Sequence, residues 1–202
     1  MPPTRADARR RRIMDAARKL FIENGFHATG MAQVAKESSV AIGQIYRDFT
    51  AKEEIVAALV ERDCSVLMMY EVLGTALLDG DTAAVRCWLR EFVEPSDNSN
   101  DARLFAEILA ESSRNKRIAA IFRQVQDDLR RHIDEALTLL APNPGLASRR
   151  AVLAEVIVIL SVGMTHQQLM RPEADLTGSI RGVQAVLDRE LDALIAASAH
   201  AA

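Results

Sequence analysis

The side chains of this chain that could do chemistry are few, and most of them stand apart. The four His are scattered, Cys64 and Cys87 form no CxxC pair, and Glu107 with Glu111 is a carboxylate pair at helical spacing. That spacing is common on solvated helices. The chain contains no GxGxxG, no Walker-type loop, no HExxH and no GxSxG. These observations point away from an enzyme, and no metal or cofactor is expected. The two cysteines are expected to be reduced core residues.

What remains is charge. Residues 1–50 carry nine Lys and Arg against five Asp and Glu, a balance of +4. The remainder carries 16 against 23, a balance of −7. A basic end on an acidic body fits a local polyanion site, although a tail touching a membrane surface would fit equally. No apolar run approaches the ~18–20 residues of a membrane span. The basic N-terminus is followed by no apolar segment of the signal-peptide kind. A cytoplasmic protein is expected.

The elements that must position these charges are helical. Periodicity predicts about nine helices and no strands: Arg5–Asn24, Met31–Glu37, Ile42–Asp48, Lys52–Tyr70, Thr82–Val93, Ala102–Ser112, Lys116–Leu140, Ala147–Met170 and Leu176–Ala199. Gly25 suits a left-handed cap, and Pro95–Asn100 is the clearest loop. In the first of these helices Ile13, Ala16, Ala17, Leu20 and Phe21 share a face. Two short helices follow with a tight break at Ser38–Ser39. Val34, Ala35, Val40 and Ile45 should be buried between them. Ala41, Ile42, Gln44, Tyr46, Arg47 and Asp48 are then left nearer the outside, as on a recognition helix that enters the major groove.

The segment RRRRIMDAARKLFIENGFHATGMAQVAKESSVAIGQIYRDFTAKEEIVAALV resembles the N-terminal domain of the TetR (tetracycline-repressor-like) family. The matching positions are Ile13, Ala16–Ala17, Leu20–Phe21, Gly25–Phe26, Ala28–Thr29, Val34–Ala35, Val40, Gly43, the block IYRDF and Lys52–Glu53. The resemblance implies an all-α fold in two parts. Residues 1–51 would be a three-helix DNA-binding domain with a helix-turn-helix, and residues 52–202 a larger helical effector-binding and dimerisation domain. Ala41, Ile42, Gly43 and Gln44 would face base edges, Gln44 being able to read adenine through its amide. Tyr46, Arg47 and Lys52 would reach phosphates, as would amides near Thr29, Gly30 and Met31. Arg9 and Arg12 would belong to a mobile basic arm suited to backbone or minor-groove contact.

Three positions depart from the family pattern. Ser39 stands where Gly is common, and a positive φ there would cost about 1 kcal/mol. Ile42 stands where a Lys or another polar group is frequent, which implies apolar contact with a thymine methyl. Asp48 replaces a frequent His and would repel phosphate unless it pairs with Arg47 or Lys52.

Beyond Leu59 the resemblance rests on helix number and length. Cys64, Met68, Trp88, Phe92, Phe105, Leu109, Phe122, Val125, Leu129 and Met164 could line an apolar effector pocket, although a Met and aromatic stripe at helical spacing is more often plain core. His132 and His166 are expected to be satisfied or superficial. Val156–Leu160 is apolar right round its helix, which two antiparallel neighbours within the subunit would explain and a partner copy on the outer side would explain better. The resemblance implies that the last two long helices pair with their copies, with Val152, Val156, Ile159, Val183, Leu187 and Leu191 at the interface. Lys52–Tyr70 would couple the effector to DNA, its start near phosphate and its end near the pocket. The expected function is a ligand-responsive regulator, a homodimer on double-stranded operator DNA, released from it by a small apolar or mixed molecule. The rival is a helical protein-interaction module with a degenerate helix-turn-helix, but such a module has no reason to retain a +4 end.

Overall fold

The computed structural model describes residues 4–67 and 69–200, with side chains except those of residues 64–67. Ten α-helices make up the described residues, with no strand. They are α1 (Arg5–Asn24), α2 (Met31–Ser38), α3 (Ile42–Asp48), α4 (Lys52–Leu67), α5 (Tyr70–Asp79), α6 (Thr82–Phe92), α7 (Ser99–Ser112), α8 (Lys116–Leu140), α9 (Ala147–Met170) and α10 (Thr177–His200). A 3-10 turn, Pro144–Leu146, precedes α9. No helix among them is long and apolar enough to cross a membrane.

Local chemistry accounts for the helix ends. Thr4 caps α1 reciprocally with Asp7: the Asp7 N–H donates to Thr4 Oγ1 at 3.1 Å, and the Thr4 N–H to Asp7 Oδ2 at 2.9 Å. Gly25, at φ 81°, ends the helix, its N–H bonding to the Phe21 carbonyl. Asp81 accepts from the amides of Ala83 and Ala84 to start α6. The single helix expected over Lys52–Tyr70 instead ends at Leu67, and α5 begins at Tyr70 after Met69, which takes a left-handed φ of 46°. This break carries no Gly or Pro, so periodicity gives no stop at Leu67, and the described residues hold ten helices against about nine expected because α5 extends over residues beyond Tyr70 that belong to none of the expected helices.

The helices form two compact units. One comprises Met1–Cys64 with Arg103–Val125, the other Ser65–Ala102 with Gln126–Ala202. The boundary expected at 51/52 therefore does not mark where packing divides: α4, α7 and α8 contribute residues to both. In the first unit Ile13, Ala17, Phe21, Val34, Ile45, Phe49, Ile55 and Leu59 bury together with Leu104, Ile108 and Ile118. In the second, Leu73, Val85, Trp88, Leu89, Ile133, Leu137, Ile157, Leu187, Leu191 and Leu194 form the core. Its ends are tied by arginines. Buried Arg150 donates to the carbonyls of Ala141 and Asn143, each at 2.9 Å, closing the C-terminus of α8. Arg86 and Arg90 of α6 both bond the Asp188 carboxylate of α10.

Candidate nucleic-acid interface

The helix-turn-helix closes on its apolar side. Val34, Val40 and Ile45 are buried as expected, while Ala35 is only half-buried. The turn between the helices is made by Ser39 at φ 53°, its N–H donating to the Lys36 carbonyl at 3.3 Å, and the Val40 N–H to that of Ala35 at 3.2 Å. A serine therefore holds the left-handed position that glycine occupies most easily.

With Ile45 wholly buried, the other side of α3 faces outward. Ile42 and Tyr46, one turn apart, are 45% and 49% exposed, so two neighbouring large side chains lie uncovered on one side of this helix. Ala41, Gly43 and Arg47 are exposed and Gln44 is half-buried, its Oε1 accepting from Arg47 Nη2. A Cβ added at Gly43 would meet nothing within 4 Å. Glycine inside a helix costs about 1 kcal/mol relative to alanine, and no internal packing demands it here. A surface that something else approaches closely gives it a reason.

Several expectations about the charged residues are corrected. The arginines before Ile13 are not a mobile arm: they are the first turns of α1. Arg9 forks onto Asp48, with Nε to Oδ2 at 2.5 Å and Nη2 to Oδ1 at 2.9 Å. Arg10 Nη1 donates to the Asp48 carbonyl at 2.7 Å, its guanidinium 4.2 Å from the Phe49 ring centroid. Asp48 thus pairs with Arg9, not with Arg47 or Lys52, and the hydrogen bonds from Arg9 hold its carboxyl below the usual range. Arg12 is exposed, as are Arg5 and Arg11.

Lys52 is turned inward too. Its ammonium donates to the carbonyls of Phe26 and Thr29, both at 2.7 Å, and sits 4.2 Å from the Phe26 ring centroid. Burial lowers its pKa. Two of its three protons are therefore engaged within the protein, and one remains for any phosphate. Thr29 is fully buried, its hydroxyl bonded to the carbonyls of Leu20 and Gly25, so only its backbone is left for an anion. Gly30 is exposed, its N–H held by Gln33 Oε1 at 2.6 Å, and Met31 packs partly against the first core.

The Glu107–Glu111 pair, expected on a solvated face, belongs to this same region. Glu107 Oε1 accepts from the Phe26 N–H at 2.6 Å, and Glu111, 2% exposed, lies 3.2 Å from His27 Nε2. The loop between α1 and α2 is thus gripped by Lys52 from α4 and by two carboxylates from α7. A side chain at Gly25 would crowd Glu107, since its Cβ would lie 3.2 Å from Oε1. The α7 contacts join residues some eighty positions apart, and no local pattern announces them.

The residues expected to line one effector pocket are distributed between the two units. Trp88, Phe92 and Leu129 belong to the second core; Phe122 and Val125 pack against the first. Phe105 and Phe122 are ring neighbours at 5.8 Å, Met164 is buried, and Leu109 is 43% exposed. The side chains of Cys64 and Met68 lie outside the described residues. Of the expected dimer residues, Val152 and Ile159 are 65% and 60% exposed and Val156 is also open. Leu187 and Leu191 are instead buried in the second core and Val183 packs on it, so α10 turns those residues inward; Val186 is the exposed one. His132 stacks on Tyr70 with ring centroids 4.0 Å apart, and His166 is exposed.

Comparison with known proteins agrees with this geometry. Residues 13–59 match the family described as "Bacterial regulatory proteins, tetR family". The HTH-type transcriptional regulator UidR of Escherichia coli (strain K12) is 28% identical over 123 residues, 59% of this chain and 60% of that protein. The match therefore spans about three fifths of that relative's length. The HTH-type transcriptional activator FasR of Mycolicibacterium smegmatis (strain ATCC 700084 / mc(2)155) is 34% identical over 56 residues, 28% of this chain and 26% of that one. Among solved structures, a SmeT–triclosan complex superposes with a TM-score of 0.73 at 23% identity, covering 92% of this chain and 91% of that one, a likeness of fold. Residues 13–59 thus match the N-terminal domain of the bacterial tetR-family regulators, and the all-helical fold is shared with the SmeT structure.

Proposed function

We propose that the protein is a transcriptional regulator that binds operator DNA as a homodimer through α3 and releases it when a small apolar or mixed molecule binds. The observation that carries this reading is the outward side of α3. Ile42 and Tyr46 project from a helix whose opposite side is pinned by fully buried Ile45, beside a Gly43 that nothing inside the protein requires. The exposed Arg5, Arg11, Arg12 and Arg47 supply phosphate partners. Asp48, which unpaired would repel phosphate, is neutralised by Arg9.

Dimerisation is supported by the uncovered Val152, Val156 and Ile159 on α9 and Val186 on α10, apolar surface that a partner copy would remove from water. Effector response is supported by the fold shared with a protein whose structure was solved with triclosan. Release would follow from preferential effector binding to a state of low operator affinity. Repression is the output adopted here, and an activator among the relatives makes it the part of the reading to test separately.

Selection of bound fragments from sheared genomic DNA, followed by sequencing, tests the reading. Recovery of a recurrent two-fold symmetric site is expected, with half-sites about one helical turn apart or a multiple of it. Recovery of fragments with no common sequence would overturn it.

A further inference from the structure

Arginine meets a carboxylate with the same two-pronged geometry it uses on a phosphate. Asp48 supplies that carboxylate at the end of α3, directly after the exposed Tyr46 and Arg47, and Arg9 closes on it through both Nε and Nη2. The pair is well shielded: the side chains of Arg9 and Asp48 retain 24% and 11% of their exposure. Arg10 adds a bond to the Asp48 carbonyl, so the first turns of α1 are docked on the end of the recognition helix. One cation of the basic run is thereby withdrawn. Among the neighbouring arginines, Arg5, Arg11 and Arg12 stay exposed.

Resting on the DNA-binding reading above, we propose that Asp48 is a specificity-determining residue, acting as an internal stand-in for phosphate that masks Arg9. Phosphate contacts carry no sequence information and strengthen binding to every duplex alike. Holding one arginine per protomer out of that interaction lowers the affinity for random DNA while leaving the base-edge contacts of Ile42 and Gln44 intact. Discrimination therefore rises at the expense of total affinity.

The test is fluorescence anisotropy with a random-sequence duplex over a series of salt concentrations, using the full chain. Asp48→Asn keeps an acceptor for Arg9 but removes the charge. It should bind more tightly than wild type at low salt and show a log–log salt slope steeper by about 0.9 per protomer engaged. Between 50 and 200 mM salt its affinity should then fall by about 3.5-fold more per protomer than that of wild type. Asp48→His, which places there the residue frequent in the family, should steepen the slope likewise, and serves if Asp48→Asn does not fold. In an Arg9→Gln background the same Asp48 substitution should no longer steepen the slope, because there is no guanidinium to unmask. A steepening that persists without Arg9 would overturn the proposal, since it would reflect only the loss of a repelling charge. A slope unchanged by either Asp48 substitution would overturn it while leaving the DNA-binding reading in place. Absence of duplex binding by wild type and variants alike, even at low salt, would overturn both.

Discussion

Replacing Lys52 by Met separates a clamp from a phosphate contact. The substitution keeps the apolar stem and removes the ammonium, with its bonds to the Phe26 and Thr29 carbonyls and its place over the Phe26 ring. Hydrogen bonds to a charged group contribute about 1.5–3 kcal/mol each, and an exposed cation–π contact about 0.5–1 kcal/mol. Two features reduce the sum. The Phe26 carbonyl keeps a bond from the Thr29 N–H at 3.3 Å, and Lys52 is only half-buried, so desolvation offsets part of the gain. A loss of about 2 kcal/mol remains, equivalent to a melting shift of about 4–8 °C for a chain of this size. Thermal unfolding followed by circular dichroism reads the shift. Hydrogen exchange should show the amides of the loop between α1 and α2 opening faster. If Lys52→Met weakens DNA binding but melts with wild type and leaves loop exchange unchanged, the clamp reasoning is refuted and Lys52 acts on phosphate alone.

Other perturbations separate the remaining roles. Ile159→Glu should convert a dimer to monomer in sedimentation with little change in subunit helicity, whereas Leu191→Ala, in the core, should cost about 2–5 kcal/mol. A monomer-shifting Leu191→Ala with unchanged stability would reverse that assignment. Ser39→Gly should stabilise the turn by about 0.5–1 kcal/mol, because φ 53° strains a serine, as chemical denaturation would show. Asp48 contributes stability above its ordinary carboxylate pKa that is lost as pH falls through its lowered folded value; Asp48→Asn should therefore flatten part of the decline in melting temperature below about pH 4. An acid profile identical to that of wild type would contradict the pairing.

The helix-turn-helix was legible because its determinants are local. Val34, Val40 and Ile45 follow from spacing, and the exposure of Ile42 and Tyr46 follows once Ile45 is turned inward. The partners of the charged residues were not legible. Asp48 finds Arg9 thirty-nine positions away, and Glu107 finds the Phe26 amide eighty-one away, pairings set by how helices pack. The break before Tyr70 was hidden for a different reason, since its residues are all adequate helix formers and a left-handed Met69 leaves no compositional trace. The α10 leucines were misassigned because that helix carries apolar residues on more than one side. Leu187 and Leu191 go to the core and Val186 to the surface, which periodicity alone does not decide.

The most direct test of the reading of α3 is the affinity of Ile42→Ala and Arg47→Gln for a selected operator and for random duplex, at several salt concentrations. Ile42→Ala should lose operator affinity while keeping the salt slope and the random-duplex affinity, the signature of a base-edge contact. Arg47→Gln should weaken both duplexes together and flatten the slope by about 0.9 per protomer. Wild-type affinity for the operator retained in Ile42→Ala, with its preference over random duplex undiminished, would contradict the assignment of the exposed side of α3 to sequence reading.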